Sequence, residues 1–291
     1  MRRGFLFAKK KADVYMLISS NLVQGGLYSI ENSYFVKFDK DNKMMDNKLV
    51  SGKGGRPHIY SHQDDKTGLL IFVPCSRQLA TYKSRNDVEL FPVETANGRP
   101  QALVIPRMIP VPEIYVKKEY EIPTGGNAAT LDVTSASTIN DFVEKTKSAY
   151  DRLKKGEALD KRLHDLSEVE IKAVSDQRQI NLYNDYKIYA DSHPNKIVIQ
   201  KPSSRNVPNK RDSRYHVLGE NAIIVEKELS IKCSEIATGI NLSDKTERVR
   251  LNSKNVDEYA KQLNEKGYDV VVVERNGIIQ EHPHTVSTHE N

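Results

Sequence analysis

The chain of 291 residues has no tryptophan and only two cysteines, Cys75 and Cys233, which lie far apart. Two distant cysteines supply neither a disulfide framework nor the paired spacing of a zinc or iron–sulfur site, and they fit free thiols in a reducing compartment. Long hydrophobic runs are missing too: none approaches the ~18 residues that a membrane-spanning helix requires. The opening "MRRGFLFAKKKADVYMLISSN" is basic and then weakly apolar. Asp13 interrupts it and no small-residue cleavage site follows, so it reads as a basic N-terminal extension over residues 1–25 rather than a secretory signal. There is no G-x-S-x-G elbow and no P-loop, and "TGG" at 124–126 does not open a dinucleotide site. These absences point to a cytoplasmic protein that is not a serine hydrolase, a nucleotide-fold enzyme or a zinc protein.

What the chain does have is charge, at 29% of residues with a net of +5. Residues 1–125 carry 19 Lys and Arg against 13 Asp and Glu, and the remainder is close to neutral. A basic N-terminal half is what phosphate-binding requires, although a solvated surface gives the same count.

The hydrophobic pattern divides the chain. "GLYSI" reads as a strand, with Asn32 or Ser33 capping a helical turn that carries Tyr34, Phe35 and Phe38. "RPHIYSHQ" and "TGLLIFVPC" read as strands joined by the turn "DDKTG". That turn lacks the alternating oxygens of a calcium loop. Residues 85–99 read as a polar connection, and 101–116, cut by three prolines, as bent strands at a sheet edge. Up to about residue 122 the elements suit a small barrel.

From "STINDFVEKTKSAYDRLKKG" onward the period becomes helical. Ile139, Phe142, Val143, Thr146, Ala149, Tyr150 and Leu153 share a face, with Ser137 as N-cap and Gly156 as stop. A second helical stretch covers 161–190, as one helix or two. "KPSSRNVPNKRDSR", 201–214, reads as an interdomain linker. After it come strands "RYHVL" and "NAIIVEKEL", the helix "NVDEYAKQLNEKGY" and the strand "DVVVV". The fold class expected is α+β: a barrel with helices over 26–194, a connection at 195–215, and a small α+β unit over 216–291.

Chemistry concentrates where "GLLIFVPCSR" ends. Ser76 follows a buried strand, so its hydroxyl is expected at a rim. Arg77, Lys83 and Arg85 follow within ten residues, while Arg56, His58 and His62 lie on the paired strand. Such a set can bind a phosphate and stabilise charge developing on it. A serine after a strand is more often a turn hydroxyl, His58 can equally be a core histidine, and Cys75 a small buried residue. His282 and His284 beside Glu281 form "HPH" in a polar tail, a pattern more often incidental than metal-binding.

Three of these stretches, in order, resemble the endoribonuclease toxins of type III toxin–antitoxin and phage-abortive systems, the ToxN/AbiQ-like family. "LYSIENSYF" is similar to that family's first strand and turn, "KGGRPHIY" to its basic second strand, and "GLLIFVPCSR" to its strand ending in Pro-x-Ser. "VIPRMIPV" is similar to the later bent strands. The resemblance covers about half the chain. It implies a Kid/MazF-like β-barrel that cuts single-stranded RNA without metal or cofactor, leaving 2′,3′-cyclic phosphate and 5′-hydroxyl ends, held in check by an RNA antitoxin in a basic groove. It places Ser76 where the family has its essential serine and Tyr34 where it has a tyrosine. Arg56, or failing it Lys53, takes the place of the second strand's cation. Lys83, Arg77 and His58 are left to assist proton transfer or steady the charge, with Lys53, Arg77 and Arg85 as RNA contacts. Gln78 stands where some members carry lysine, and Cys75 where some carry threonine. Two other readings stand beside this one: a barrel that binds RNA or a partner without cutting, and an adaptor whose working part, with a protein partner, is the C-terminal unit.

Overall fold

The computed structural model describes residues 22–39, 44, 56–76, 79–83, 90–93, 101–119, 136–157, 159, 166–204, 206 and 214–284. The described residues form two compact units, divided between residues 174 and 175.

The N-terminal unit is built on an antiparallel sheet. Its strands are β1 (Leu27–Ile30), β2 (His58–Gln63), β3 (Leu70–Ser76), β4 (Leu90–Val93), β5 (Gln101–Val104), β6 (Ile109–Val111) and β7 (Val116–Glu119). They run in the order β4-β5-β3-β2-β1-β7, with β6 also paired to β3. The expected hairpin is present: Asp64 to Gly68 turns β2 into β3, Gly68 at φ +75° and Thr67 Oγ1 donating to Asp64 Oδ2 at 2.6 Å. The α+β class holds, but among the described residues the sheet is open, with β4 and β7 at its ends, and no barrel closes.

The prolines explain the bend. A 3-10 turn, Ile105–Arg107, separates β5 from β6 with Pro106 inside it, so β3 pairs β5 only at Cys75 and Ser76, and β6 only from Leu70 to Phe72. The amide of Cys75 donates to the carbonyl of Pro57, on the β2 side. Amides alternate along a strand, so Pro74 presents its missing N–H to the interrupted side, where no ladder bond is lost.

Among the described residues, helices α1 (Asn32–Phe38), α2 (Leu79–Lys83) and α3 (Ala136–Lys154) accompany this sheet. Helix α3 lays Phe142, Val143, Ala149, Tyr150 and Leu153 on Ile59, Ile71, Val73 and Leu103. Each such large side chain contributes roughly 1.5–3 kcal/mol when fully buried. The face is the one expected from spacing, but the helix has already begun at Ala136, so Ser137 is not its cap. For α1 the capping position is Glu31, one residue before Asn32 and two before Ser33.

Helix α4 (Leu166–Ser192) is one unbroken element that crosses the division between the units. Its first turns belong to the N-terminal unit: Glu170 accepts from Tyr150 Oη at 2.8 Å and from Lys154 Nζ at 2.9 Å, and Lys154 also faces Asp64 at 3.8 Å.

In the C-terminal unit the strands are β8 (Ile197–Gln200), β9 (Tyr215–Leu218), β10 (Ser234–Ala237), β11 (Lys245–Leu251), β12 (Val270–Val273) and β13 (Ile279–His282), in the order β10-β11-β9-β8-β12-β13. Only β8 and β12 run parallel, and the other pairs are antiparallel. Helices α5 (Glu220–Leu229) and α6 (Val256–Glu265) cover one face over Ile197, Ile199, Val270 and Val272. Leu182 and Tyr186 of α4 cover the other, over Val198, Val271 and Val273. Burial on both faces is why "VVVV" is a continuous apolar run.

Two segments differ from their sequence pattern. "NAIIVEKEL", expected as a strand, is α5: Ala222 and Val225 are buried on one helical face while Ile223 is 49% exposed. Residues 201–214, expected to separate domains, join the neighbouring strands β8 and β9 of one sheet. No helix among the described residues is long and apolar enough to cross a membrane.

Candidate active site

The hairpin register decides what meets at the end of β3. His58 lies opposite Pro74, which sets Arg56 and Pro57 beside Cys75 and Ser76. Arg56 Nη1 reaches the carbonyl oxygen of Cys75 at 3.4 Å, so a guanidinium sits next to the residue that precedes Ser76. His58 Nδ1 donates to the carbonyl of Arg56 at 3.0 Å, and its ring packs against Phe35 with centroids 5.9 Å apart. The structure therefore brings Arg56, His58 and Ser76 together at one end of the β2–β3 pair.

Accessibility sorts them. Arg56 is partly exposed, His58 is wholly buried, and Ser76 is only 5% exposed, opposite Ala102 of β5. The expected rim position of the serine is corrected: Ser76 is buried, because β5 and β4 extend the sheet on that side of β3. The signal was missed because β4 lies within residues 85–99, read as a polar connection.

Tyr34 takes a structural position. It is fully buried, its hydroxyl donates to the carbonyl of Pro110 at 2.9 Å, and burial holds its ionisation well above that of an ordinary tyrosine. Its ring packs against Phe35, Phe38 and Tyr115. Cys75 is likewise buried, which pushes its thiol up to about 12 despite Arg56 nearby, so it is no thiolate nucleophile at neutral pH.

Lys83 ends α2, the short helix that follows β3 after two residues. The same helix carries Tyr82, buried against Val104. Lys53, Arg77 and Arg85 lie outside the described residues. One cation that sequence reasoning passed over is Arg107, half-buried at the end of the 3-10 turn beside β3. Its signal was an isolated arginine inside the apolar run "VIPRMIPV".

His62 lies apart from this site. Strand pairing sets it opposite Ile71, five residues and roughly 17 Å along β3 from Ser76. It packs edge-on to Tyr150 at 6.0 Å, and burial lowers its pKa to about 4. The "HPH" histidines are engaged in the C-terminal unit: His284 Nδ1 contacts Asp269 Oδ1 at 2.7 Å, and the carbonyl of His282 accepts from Asn264 Nδ2 at 2.7 Å. No group of three or more metal-ligating side chains gathers among the described residues.

Residues 207–287 match the family model described as MutS domain I, a stretch that contains β9 through β13 and amounts to well under half of the chain. No curated protein matches the sequence. Solved structures that resemble it include two toxins of type III toxin–antitoxin systems. One is a bacterial type III toxin–antitoxin system in which a non-coding RNA pseudoknot selectively inhibits the toxin; identity is 21%, with 51% of this chain and 95% of that chain covered and a TM-score of 0.39. The other is AbiQ, a lactococcal anti-phage endoribonuclease of the type III toxin–antitoxin system, at 14% identity, 51% and 94% coverage and a TM-score of 0.37.

Proposed function

We propose that the N-terminal unit is a toxin-like endoribonuclease that cuts single-stranded RNA without metal and is restrained by an RNA antitoxin. The observation that carries this reading is the contact of Arg56 with the carbonyl of Cys75, which sets a cation beside the main chain that leads into Ser76. It is supported by the ordered resemblance of "LYSIENSYF", "KGGRPHIY" and "GLLIFVPCSR" to the ToxN/AbiQ-like toxins.

In this reading the 2′-hydroxyl of the ribose gives up its proton as its oxygen attacks phosphorus, the bond to the 5′-oxygen breaks, and that oxygen takes up a proton. The products are a 2′,3′-cyclic phosphate and a 5′-hydroxyl. Arg56 and Ser76 hold the nonbridging oxygens as charge builds. Lys83 and Arg77, on the segment that leaves β3, steady the charge and assist proton transfer, and Lys53 and Arg85 extend the phosphate track. Buried His58 acts by fixing the Arg56 backbone, and Tyr34 by anchoring α1 to β6.

A second reading, RNA binding without cutting, is favoured by the 5% exposure of Ser76. Induced expression of the parent, Ser76→Ala and Arg56→Ala, with total RNA probed for new 5′-hydroxyl ends, separates the two. The nuclease reading expects growth arrest and new ends from the parent, with cutting reduced about 10²–10³-fold in either variant. Cutting by Ser76→Ala at the parental rate removes the assignment. Salt-sensitive RNA binding with intact RNA favours the second reading.

A further inference from the structure

The sheet of the N-terminal unit has two faces, and the alternation of side chains along a strand assigns the residues near Ser76 to them. Cys75 pairs Leu103, which pairs Phe91, and all three lie in the core under α3. Ser76, Ala102, Val104 and Leu90 therefore stand on the opposite face, away from α3. Strand β5 flanks Ser76 within the sheet, but a flanking strand does not cover a face. Ala102 and Ser76 are buried all the same.

Helix α2 lies on that face. It begins three residues after Ser76, and its Tyr82 packs on Val104 with Leu90 against them. Val104 is two residues, roughly 7 Å, along β5 from Ala102, the partner of Ser76. The helix thus turns back over the serine's side of the sheet instead of running on past the end of β3.

What holds it there is slight. Five residues are too few for a helix to persist by itself in water. Among the described side chains of α2, Ala80 and Thr81 are exposed and Tyr82 is buried. The cluster of Tyr82 with Val104 and Leu90 is separate from the α3 core, so α2 can lift without unpacking that core. Elements with few buried apolar contacts have low local stability, and the lids of binding sites are drawn from them.

A buried serine cannot meet a phosphate. We propose that α2 is a lid over Ser76, latched by the Tyr82 ring, and that it lifts to let an RNA strand reach the serine. The lid stands on the packing alone; that its guest is RNA rests on the nuclease reading. A closed lid weakens apparent binding in proportion to the fraction of molecules that are open, so the latch sets how readily the site engages. Tyr82 is a gating residue, not a catalytic one.

Alkylation of full-length Ser76→Cys reads the lid without any cutting. The variant is treated with iodoacetamide by itself and combined with Tyr82→Ala, Tyr82→Phe or Leu90→Ala, and labelling is localised by peptide mass spectrometry. The parent corrects for labelling of Cys75. Tyr82→Ala is expected to speed labelling roughly 10–100-fold, the equivalent of one large side chain's burial. Leu90→Ala should speed it less, and Tyr82→Phe, which keeps the ring, should stay close to Ser76→Cys alone. Circular dichroism checks the fold, and Leu90→Ala decides the matter if Tyr82→Ala does not fold. Labelling of Ser76→Cys alone as fast as in the unfolded chain, or rates that neither Tyr82→Ala nor Leu90→Ala raises, overturns the lid. RNA binding is then read in a Ser76→Ala background, where Tyr82→Ala should tighten it by a similar factor. Binding that Tyr82→Ala leaves unchanged or weakens overturns the gating role. Faster labelling with no RNA bound by either form sustains the lid and overturns RNA as its guest.

Discussion

Arg56 and Cys75 are joined across the β2–β3 pair by a bond from the guanidinium to a main-chain carbonyl, 3.4 Å long. One nitrogen of the planar group is thus committed to backbone, which constrains the orientation of the guanidinium fork. Arg56→Lys keeps the charge but not the fork. RNA cutting is expected to fall roughly 10–100-fold, with thermal unfolding within a few degrees of the parent; full activity in the lysine variant would show that charge alone suffices.

Tyr34→Phe removes a buried hydroxyl and strands the carbonyl of Pro110. Destabilisation of about 1–3 kcal/mol is expected in chemical denaturation. Cutting per folded molecule should be unchanged, since Tyr34 anchors α1 and does not face solvent. A large loss of cutting without a loss of stability would return Tyr34 to the site.

His62 gives the N-terminal unit a dependence on acid. Its folded pKa, about 4, lies below the ordinary 6.5, chiefly because burial disfavours the imidazolium. The unfolded chain therefore binds the proton more readily. The stabilisation is complete above pH 6.5 and drains away as pH falls toward 4. Replacing His62 by Phe is expected to flatten the fall in unfolding midpoint across that window, measured by circular dichroism at half-unit steps.

In α5 the buried and exposed branched residues are separable. Val225→Ala should cost about 1–2.5 kcal/mol through lost packing, whereas Ile223→Ser should lie within about 0.5 kcal/mol of the parent. A strand would place 223 and 225 on one face and make both changes costly. The unfolding free energies of the two variants tell these arrangements apart.

That segment shows where sequence reading stops. Ile-Ile-Val has strand propensity, and only the packing of Ala222 and Val225 under the sheet selects a helix. Residues 136–154 were readable because seven apolar positions share one helical face, and 101–116 because prolines bend strands. Strand β4 was not, since "LFPV" is too short and proline-broken to announce itself. Closure of a barrel depends on which strand ends meet, and no local pattern encodes that. The site was half legible: the hairpin signal put Arg56 and His58 on the strand paired with that of Ser76, but burial of Ser76 and His58 depends on strands and helices contributed from elsewhere in the chain.

Helix α4 has a consequence for anyone who divides this protein. Its 27 residues form a rod about 40 Å long whose two halves serve different cores. A cut within 201–214 would sever β8 from β9, and a fragment ending near 194 would carry the Leu182 and Tyr186 stripe with nothing to cover it. Such a fragment should be prone to aggregation whatever the N-terminal unit does by itself.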